Sequence, residues 1–218
     1  MKNKRRTTAS PILFILAGFF LGSALCSVAF AESDPVRVLA TAGVVEIQHA
    51  SGGQWALLTA SAQPSVGDRI RTGEKSGVDF GFDPALDGMA RLGDQALAII
   101  ESSQPVRWRL EKGKMWVLWE YDRDSRAAFE TRLNHQIVRI KGGAFLSIGT
   151  DRTEIRSFGG VWLPGRSDEE LPEGFRMFVS SESAQSQERL GYADYQDWKA
   201  WMTDAYRLKD SKNQAGRA

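Results

Sequence analysis

The chain has 218 residues, 42% of them hydrophobic, and nearly equal numbers of basic and acidic residues, 28 and 27. This length is enough for one domain with an ordinary hydrophobic core. The balanced charge gives no reason to expect nucleic acid as a partner, because nucleic-acid binding usually needs a strongly basic face.

Residues 1–31 have the pattern of a secretory signal peptide. Four basic residues precede the apolar stretch Pro11 to Leu25, and Ala29 and Ala31 are small residues of the kind that a leader peptidase reads. The pattern predicts a periplasmic protein. The alternative is an uncleaved segment that anchors the chain in the inner membrane facing the periplasm, because the apolar run approaches the ~20 residues of a spanning helix. Membrane contact is expected only through such an uncleaved segment.

Removal of residues 1–31 would change the charge and the cysteine content. It would leave 24 Lys and Arg against 27 Asp and Glu, a net charge of −3, and it would take away Cys26, the only cysteine. The mature protein could then form no disulfide, so its stability must come from core packing.

The segment from residue 36 to residue 163 is predicted to be all-β. Hydrophobic residues alternate with polar ones, as where Val45 and Ile47 flank Glu46, and glycine-containing turns separate the runs. Strict alternation means that each strand buries one face. Many short strands at this spacing predict a solenoid-like roll or a sandwich of short antiparallel strands.

The remainder of the chain changes character. Residues 164–190 are predicted to be a linker with a possible last strand at Phe175 to Val179. Residues 191–210 are predicted to form a C-terminal amphipathic helix, and residues 211–218 a disordered tail. One stripe of the helix carries its apolar side chains: Tyr195, Trp198, Met202 and Ala205.

The most specific motif is a heptapeptide in the β-region. Its residues are Gly67, Asp68, Arg69, Ile70, Arg71, Thr72 and Gly73. The heptapeptide resembles, at every position, the Gly-Asp-x-Ile/Val-x-Thr-Gly signature of the FecR family of periplasmic β-domains. The resemblance covers about residues 36–163. It implies a non-catalytic envelope module that binds or senses a partner, with the signature itself in a structural role.

Two departures from the family pattern bear on this resemblance. Family members usually have Gly-Thr where this chain has Gly142-Gly143. FecR sensors that control transcription also carry a cytoplasmic anti-sigma segment before their membrane helix, where this chain has only Met1 to Ser10. We therefore expect no sigma-factor control by this chain itself.

The residues give no support for catalysis, a metal or a cofactor. His49 and His135 have no Cys, His or acidic partner at metal-ligand spacing. Residues 32–218 have no cysteine and no Gly-x-Ser-x-Gly motif, so no nucleophile with a base can be assembled. The sequence predicts that the protein is not an enzyme.

Four side chains are candidates for contact with a partner or a glycan. Trp116 and Trp119 are three residues apart, so on one strand they would point to opposite faces. One of them is expected either to be exposed or to lie beneath the C-terminal helix. Arg69 and Arg71 are expected to face outward, where they could bind a carboxylate or a glycan phosphate. The partner is predicted to be an envelope protein in signalling or scaffolding; the alternative is peptidoglycan or another polysaccharide.

The heptapeptide also generates a stability prediction. If the Asp68 side chain caps its turn, Asp68→Ala should lower the free energy of unfolding by about 1 kcal/mol or more. Thermal unfolding measures this change, and an unchanged melting temperature would remove the capping role.

Overall fold

The structure is a computed structural model that describes residues 36–82, 88–120, 128–163, 169–179 and 184–215. The predicted signal peptide lies outside these residues, as do residues 216–218. Residues 211–215 of the predicted disordered tail instead continue the C-terminal helix. No helix among them is long and apolar enough to cross a membrane.

The described residues form sixteen strands and one helix. Their bounds are β1 Val36–Ala42, β2 Val45–Gln48, β3 Ala56–Leu57, β4 Arg69–Thr72, β5 Gly77–Phe82, β6 Gly88–Leu92, β7 Leu97–Ser103, β8 Val106–Trp119, β9 Phe129–Leu133, β10 Gln136–Ile140, β11 Gly143–Ile148, β12 Thr153–Ser157, β13 Val161–Leu163, β14 Glu169–Leu171, β15 Phe175–Val179, β16 Ala184–Arg189 and α1 Tyr192–Ala215. The predicted all-β fold with a C-terminal helix is confirmed.

The strands form two sheets that share β8. Sheet 1 has the order β1-β5-β6-β8-β11-β12-β15-β16, and sheet 2 has the order β3-β2-β4-β7-β8-β9-β10-β13-β14. The inner faces of both sheets contribute to one hydrophobic core. Phe80 of sheet 1 contacts the fully buried Trp108 of sheet 2 edge to face, with ring centroids 4.9 Å apart. The arrangement is therefore a sandwich rather than a roll.

The long strand β8 turns from one sheet into the other at Gly113. Its first half buries Trp108 and Leu110, whereas its second half buries Met115 and Val117, so the alternation shifts by one residue between them. A strand keeps its phase unless a local distortion breaks it. Gly113 supplies that distortion with a φ of 85°, and its Cα faces the backbone of Ala96 too closely to leave room for a side chain.

One strand pair differs from the predicted antiparallel pattern. β9 runs parallel to the first half of β8, with Arg107 beside Glu130 and Leu110 beside Leu133. The reason is the length of β8. The strand ends in sheet 1, so the chain must cross back to sheet 2 before β9 can pair with the first half of β8. A parallel pair needs such a crossover.

Residues 164–190 contain more structure than a linker with one strand. The predicted strand at Phe175–Val179 is present, and β14 and β16 accompany it. β14 pairs with β13, and β15 pairs with β12, so this segment extends both sheets. Leu171 and Met177 enter the main core. The polar edge strand β16 has no hydrophobic alternation, because an edge strand with an exposed face needs none.

Asp68 and Thr72 of the heptapeptide make buried hydrogen bonds. The Asp68 carboxylate is buried and accepts hydrogen bonds from the backbone N–H of Ala50, 2.9 Å, and of Ser65, 3.0 Å. His49 Nδ1 lies 3.1 Å from the same carboxylate. Thr72 uses its buried hydroxyl to accept from the Ala96 N–H, 2.8 Å. The motif thus fastens the β2–β3 and β6–β7 loops to β4.

The corner in β8 can be tested with a matched pair of glycine substitutions. Gly113→Ala should lower the free energy of unfolding by about 3 kcal/mol, because it adds a clash with the Ala96 backbone to the cost of a positive φ. Gly52 has a similar φ of 83° but no atom within 4 Å of the added carbon, so Gly52→Ala should cost only about 1 kcal/mol. Urea unfolding followed by tryptophan fluorescence measures both, and equal losses would contradict the role of Gly113.

Candidate functional site

Helix α1 lies on the outer face of sheet 1. Trp198, Trp201 and Ala205 of the helix form a second hydrophobic cluster with Leu39 and Met89 of the sheet. Partly buried apolar residues complete this cluster: Trp116, Leu118, Phe158, Met202 and Leu208. Trp198 stacks on Phe158 with ring centroids 4.4 Å apart and an angle of 5° between the planes. The helix is thus held on the sheet mainly by aromatic packing.

The packing of Trp198 explains why residue 143 is a glycine. A Cβ at Gly143 would lie 2.4 Å from the Trp198 ring, closer than any side chain allows. The indole of the C-terminal helix thus occupies the space that a side chain at residue 143 would need.

An ion-pair cluster fixes the start of the helix. Asp194 is in the first turn and accepts a hydrogen bond from the Gly191 N–H, 2.8 Å. Its carboxylate also pairs with Arg156 at 2.7 Å and with Arg176 at 2.8 Å. Asp194 therefore stabilises the helix N-terminus from within the first turn rather than from the N-cap position, and it ties that turn to β12 and β15.

The C-terminal half of the helix and the sheet enclose a groove of about 780 Å³. Ala40, Trp116 and Leu208 are among the apolar residues that line it. Volumes of this size are typical of ligand sites, which combine an apolar lining with a few polar groups.

The floor of the groove follows from the strand register. Directly opposed residues of antiparallel strands point to the same face. Opposed pairs across sheet 1 therefore place one row of side chains beneath the helix: Ala40, Asp79, Arg91, Trp116, Phe145, Arg156, Arg176 and Glu188. Asp79 is buried and makes a two-bond pair with Arg91, at 2.7 and 2.9 Å, in the middle of the groove floor.

The rim of the groove carries charges of both signs. Lys75 and Arg207 are the basic residues of the rim, and Asp94 and Asp204 are the acidic ones. Their side chains are largely exposed; that of Arg207 is 78% accessible. The groove thus offers apolar side chains and the Asp79–Arg91 ion pair between charged edges.

The four side chains predicted to contact a partner lie in different places. Trp116 points outward, lies under the helix and lines the groove, as the helix-covered alternative expected. Trp119 points to the opposite face and packs in the main core, with its ring 5.8 Å from that of Phe82. Arg69 and Arg71 lie on the outer face of sheet 2, so the four do not form one surface.

Arg69 and Arg71 belong to a set of cross-strand ion pairs. Arg71 donates to Glu46 at 2.6 Å, and this hydrogen bond lowers the pKa of Glu46. Arg69 lies 3.5 Å from Glu111. The guanidinium carbon of Arg71 also lies over the Trp55 ring, 4.2 Å from its centroid. These arginines are therefore oriented by their neighbours rather than freely solvated.

Apart from Trp116, the groove residues escaped the sequence analysis because only the fold brings them together. Lys75 and Asp94 are turn residues, Asp79 and Arg91 are on different strands, and Arg207 is on the helix. The only available signal was the position of Asp79 and Arg91 in the period-two alternation. It indicates that both side chains point to the outer face of their sheet, but not that the helix lies over that face.

The described residues contain no group of three or more His, Cys, Asp or Glu that could hold a metal ion. His49 pairs with Asp68, as a structural histidine would.

Comparison with known proteins gives a limited result. No family model matches this chain, and no curated protein matches it. Two crystal structures of a "putative anti-sigma factor" from Parabacteroides distasonis are similar to it, each with a TM-score of 0.48 and 12% sequence identity over 60% of this chain and 63% of that chain. Similarity at this level establishes neither a family nor a function, so the FecR-type resemblance stays a prediction.

The ion pairs of sheet 2 predict a pH dependence of stability. Burial raises the pKa of Glu130, but hydrogen bonds from Arg107 and Arg139 outweigh it and hold the pKa below its ordinary value of 4.5. A lowered pKa in the folded state stabilises the protein above the unfolded-state pKa, and this stabilisation is lost as the pH falls through the folded-state value.

Glu130→Gln should therefore lower the melting temperature clearly at pH 7 and much less at pH 3. Thermal unfolding of both proteins between these pH values measures the difference. A loss that is the same at every pH would show that the Glu130 charge does not stabilise the fold.

Proposed function

We propose that this chain is a non-catalytic binding protein of the bacterial cell envelope, which contacts a protein partner in signalling or scaffolding. The groove between α1 and sheet 1 is the observation that carries the proposal. It combines apolar side chains and a fixed ion pair on its floor with exposed charged side chains at its edges, as binding sites do.

The mixed charge of the rim favours a polypeptide as the occupant. A protein segment carries both charges and apolar side chains, so it can pair with Lys75 and Arg207 on one hand and with Asp94 and Asp204 on the other. Neutral glycans are bound mainly by exposed aromatic rings. Trp116 is the aromatic residue of the lining, and it is partly covered by the helix.

The proposed location rests on residues 1–31. Their basic start, apolar run and small residues at the end are the pattern of an exported protein. A periplasmic chain would meet envelope proteins, and a cytoplasmic one would not.

Site-specific photo-crosslinking tests the groove. The photoreactive residue p-benzoylphenylalanine is placed at position 207 on the rim, or at position 199, which is exposed on the same helix but does not line the groove. Illumination of cells that express the full chain should give an adduct with one protein from position 207 and none from position 199. Equal labelling from both positions, or none from 207, would contradict the proposal.

Two further variants test whether the adduct depends on the rim charge and on export of the protein. Lys75→Glu, combined with the photoreactive residue at 207, should reduce the adduct several-fold because it reverses a rim charge. Deletion of residues 2–31 should abolish the adduct by preventing export. An adduct that persists in the unexported chain would mean that the partner is not an envelope protein.

A further inference from the structure

The outer face of sheet 2 is rich in arginine. Its arginines come from β4 and from the three adjacent strands β8, β9 and β10, with β7 between β4 and β8. They are Arg69, Arg71, Arg107, Arg109, Arg132 and Arg139. They alternate along the strands with core residues such as Ile70, Trp108 and Val138, which fixes their outward direction.

Strand register places these arginines side by side. Arg107 and Arg139 lie on either side of Glu130 and both pair with it. Arg109 and Arg132 are directly adjacent and share Glu101, with distances of 3.4 and 3.3 Å. Such a close arrangement of like charges is stable only because a carboxylate lies between them.

The arginines are more exposed than the carboxylates that hold them. Side-chain exposure is 8% for Glu130 against 51% for Arg139, and 17% for Glu101 against 40% for Arg132. The same order holds for Glu46 and Glu111, which are less exposed than their arginine partners. The carboxylates therefore lie beneath, and a ligand that approaches this face meets guanidinium groups.

The charge of this face differs from that of the chain. Residues 32–218 carry three more acidic than basic residues, yet this face has six arginines beside five glutamates: Glu46, Glu101, Glu111, Glu130 and Glu170, the last of them opposite Trp162. Each guanidinium has five donors in a fixed plane, so a pair with one glutamate leaves donors for a second anion.

Two tryptophans lie at opposite ends of the same face. Trp55 stacks with Arg71, and Trp162 lies opposite Arg139 on the adjacent strand. Both rings are half-buried. Partly exposed aromatic rings beside guanidinium groups suit a ligand that alternates apolar sugar faces with negative charges.

We propose that this face binds an anionic polysaccharide. The arginines pair with the acidic groups of the polymer, and Trp55 and Trp162 stack on its sugar rings. This site is separate from the groove, so it would allow the protein to hold a charged glycan while its other surface contacts a protein.

The probe is polygalacturonate, a polysaccharide with one carboxylate on each sugar. Its binding to protein purified from cells that express the full chain is measured by biolayer interferometry, with three competing probes: neutral dextran, polyglutamate and phosphatidylglycerol vesicles. Polygalacturonate should bind, and the affinity should fall as the salt concentration rises. Absence of binding, equal binding of polyglutamate, or tighter binding of the vesicles would overturn the proposal.

A matched pair of double variants assigns the surface. Arg69→Gln with Arg139→Gln removes two charges while Glu111 and Glu130 each keep another arginine. This double variant should weaken polygalacturonate binding about tenfold. The control is Lys199→Gln with Arg207→Gln, which also removes two positive charges, but from the helix. The control should change polygalacturonate binding less than about twofold. Equal weakening by both pairs would overturn the proposal; urea unfolding confirms that each variant is folded.

Trp55→Ala separates a glycan site from a general polyanion site. It should weaken polygalacturonate binding and leave any residual polyglutamate binding unchanged, because only the sugar stacks on the ring. Unchanged polygalacturonate binding would remove the stacking role. Lys75→Glu should leave glycan binding intact and impair only the groove, so the two proposals can fail separately.

Discussion

The change of direction within β8 is the constraint on which the rest of the structure depends. This single strand supplies hydrogen bonds to both sheets. It can bury side chains on the inner face of each sheet only if the alternation of buried and outward residues shifts by one residue between its two halves. Gly113 makes this shift possible, since its positive φ and missing side chain allow the corner to pack against Ala96. The sandwich, its single core and the parallel return of β9 all follow from that corner.

The helix then divides the surface of the protein into two regions. Its first half covers sheet 1, because Trp198 fits against Gly143 and Asp194 binds Arg156 and Arg176. Its second half leaves a gap above Asp79 and Arg91, and this gap is the groove. Asp79 is buried and Arg91 is partly exposed, so their ion pair is a polar feature of the groove floor between apolar side chains.

The two outer faces of the sandwich differ in their physical character. Sheet 1 is covered by aromatic packing and presents a groove with charges of both signs, which is suited to a protein segment. Sheet 2 is open and presents guanidinium groups that are held in place by glutamates beneath them. Residues 32–218 contain slightly more acidic than basic residues, yet this face presents guanidinium groups, because the carboxylates are the less exposed members of the ion pairs.

Local patterns in the sequence were enough to predict much of the fold. Period-two alternation marked the strands, the heptapeptide marked a capped turn, and the period of 3.6 marked the helix, because each depends on neighbours along the chain. The spacing of Trp116 and Trp119 also predicted that they face opposite sides of their strand. Strand β16, the parallel pair and the groove could not be predicted in this way. They depend on which strands meet across the sheets and on where the helix lies, and those contacts join residues far apart in the chain. The sequence by itself determined the strands, the turns and the amphipathic helix; only the tertiary structure decided which outward residues became a covered groove and which became an open arginine face.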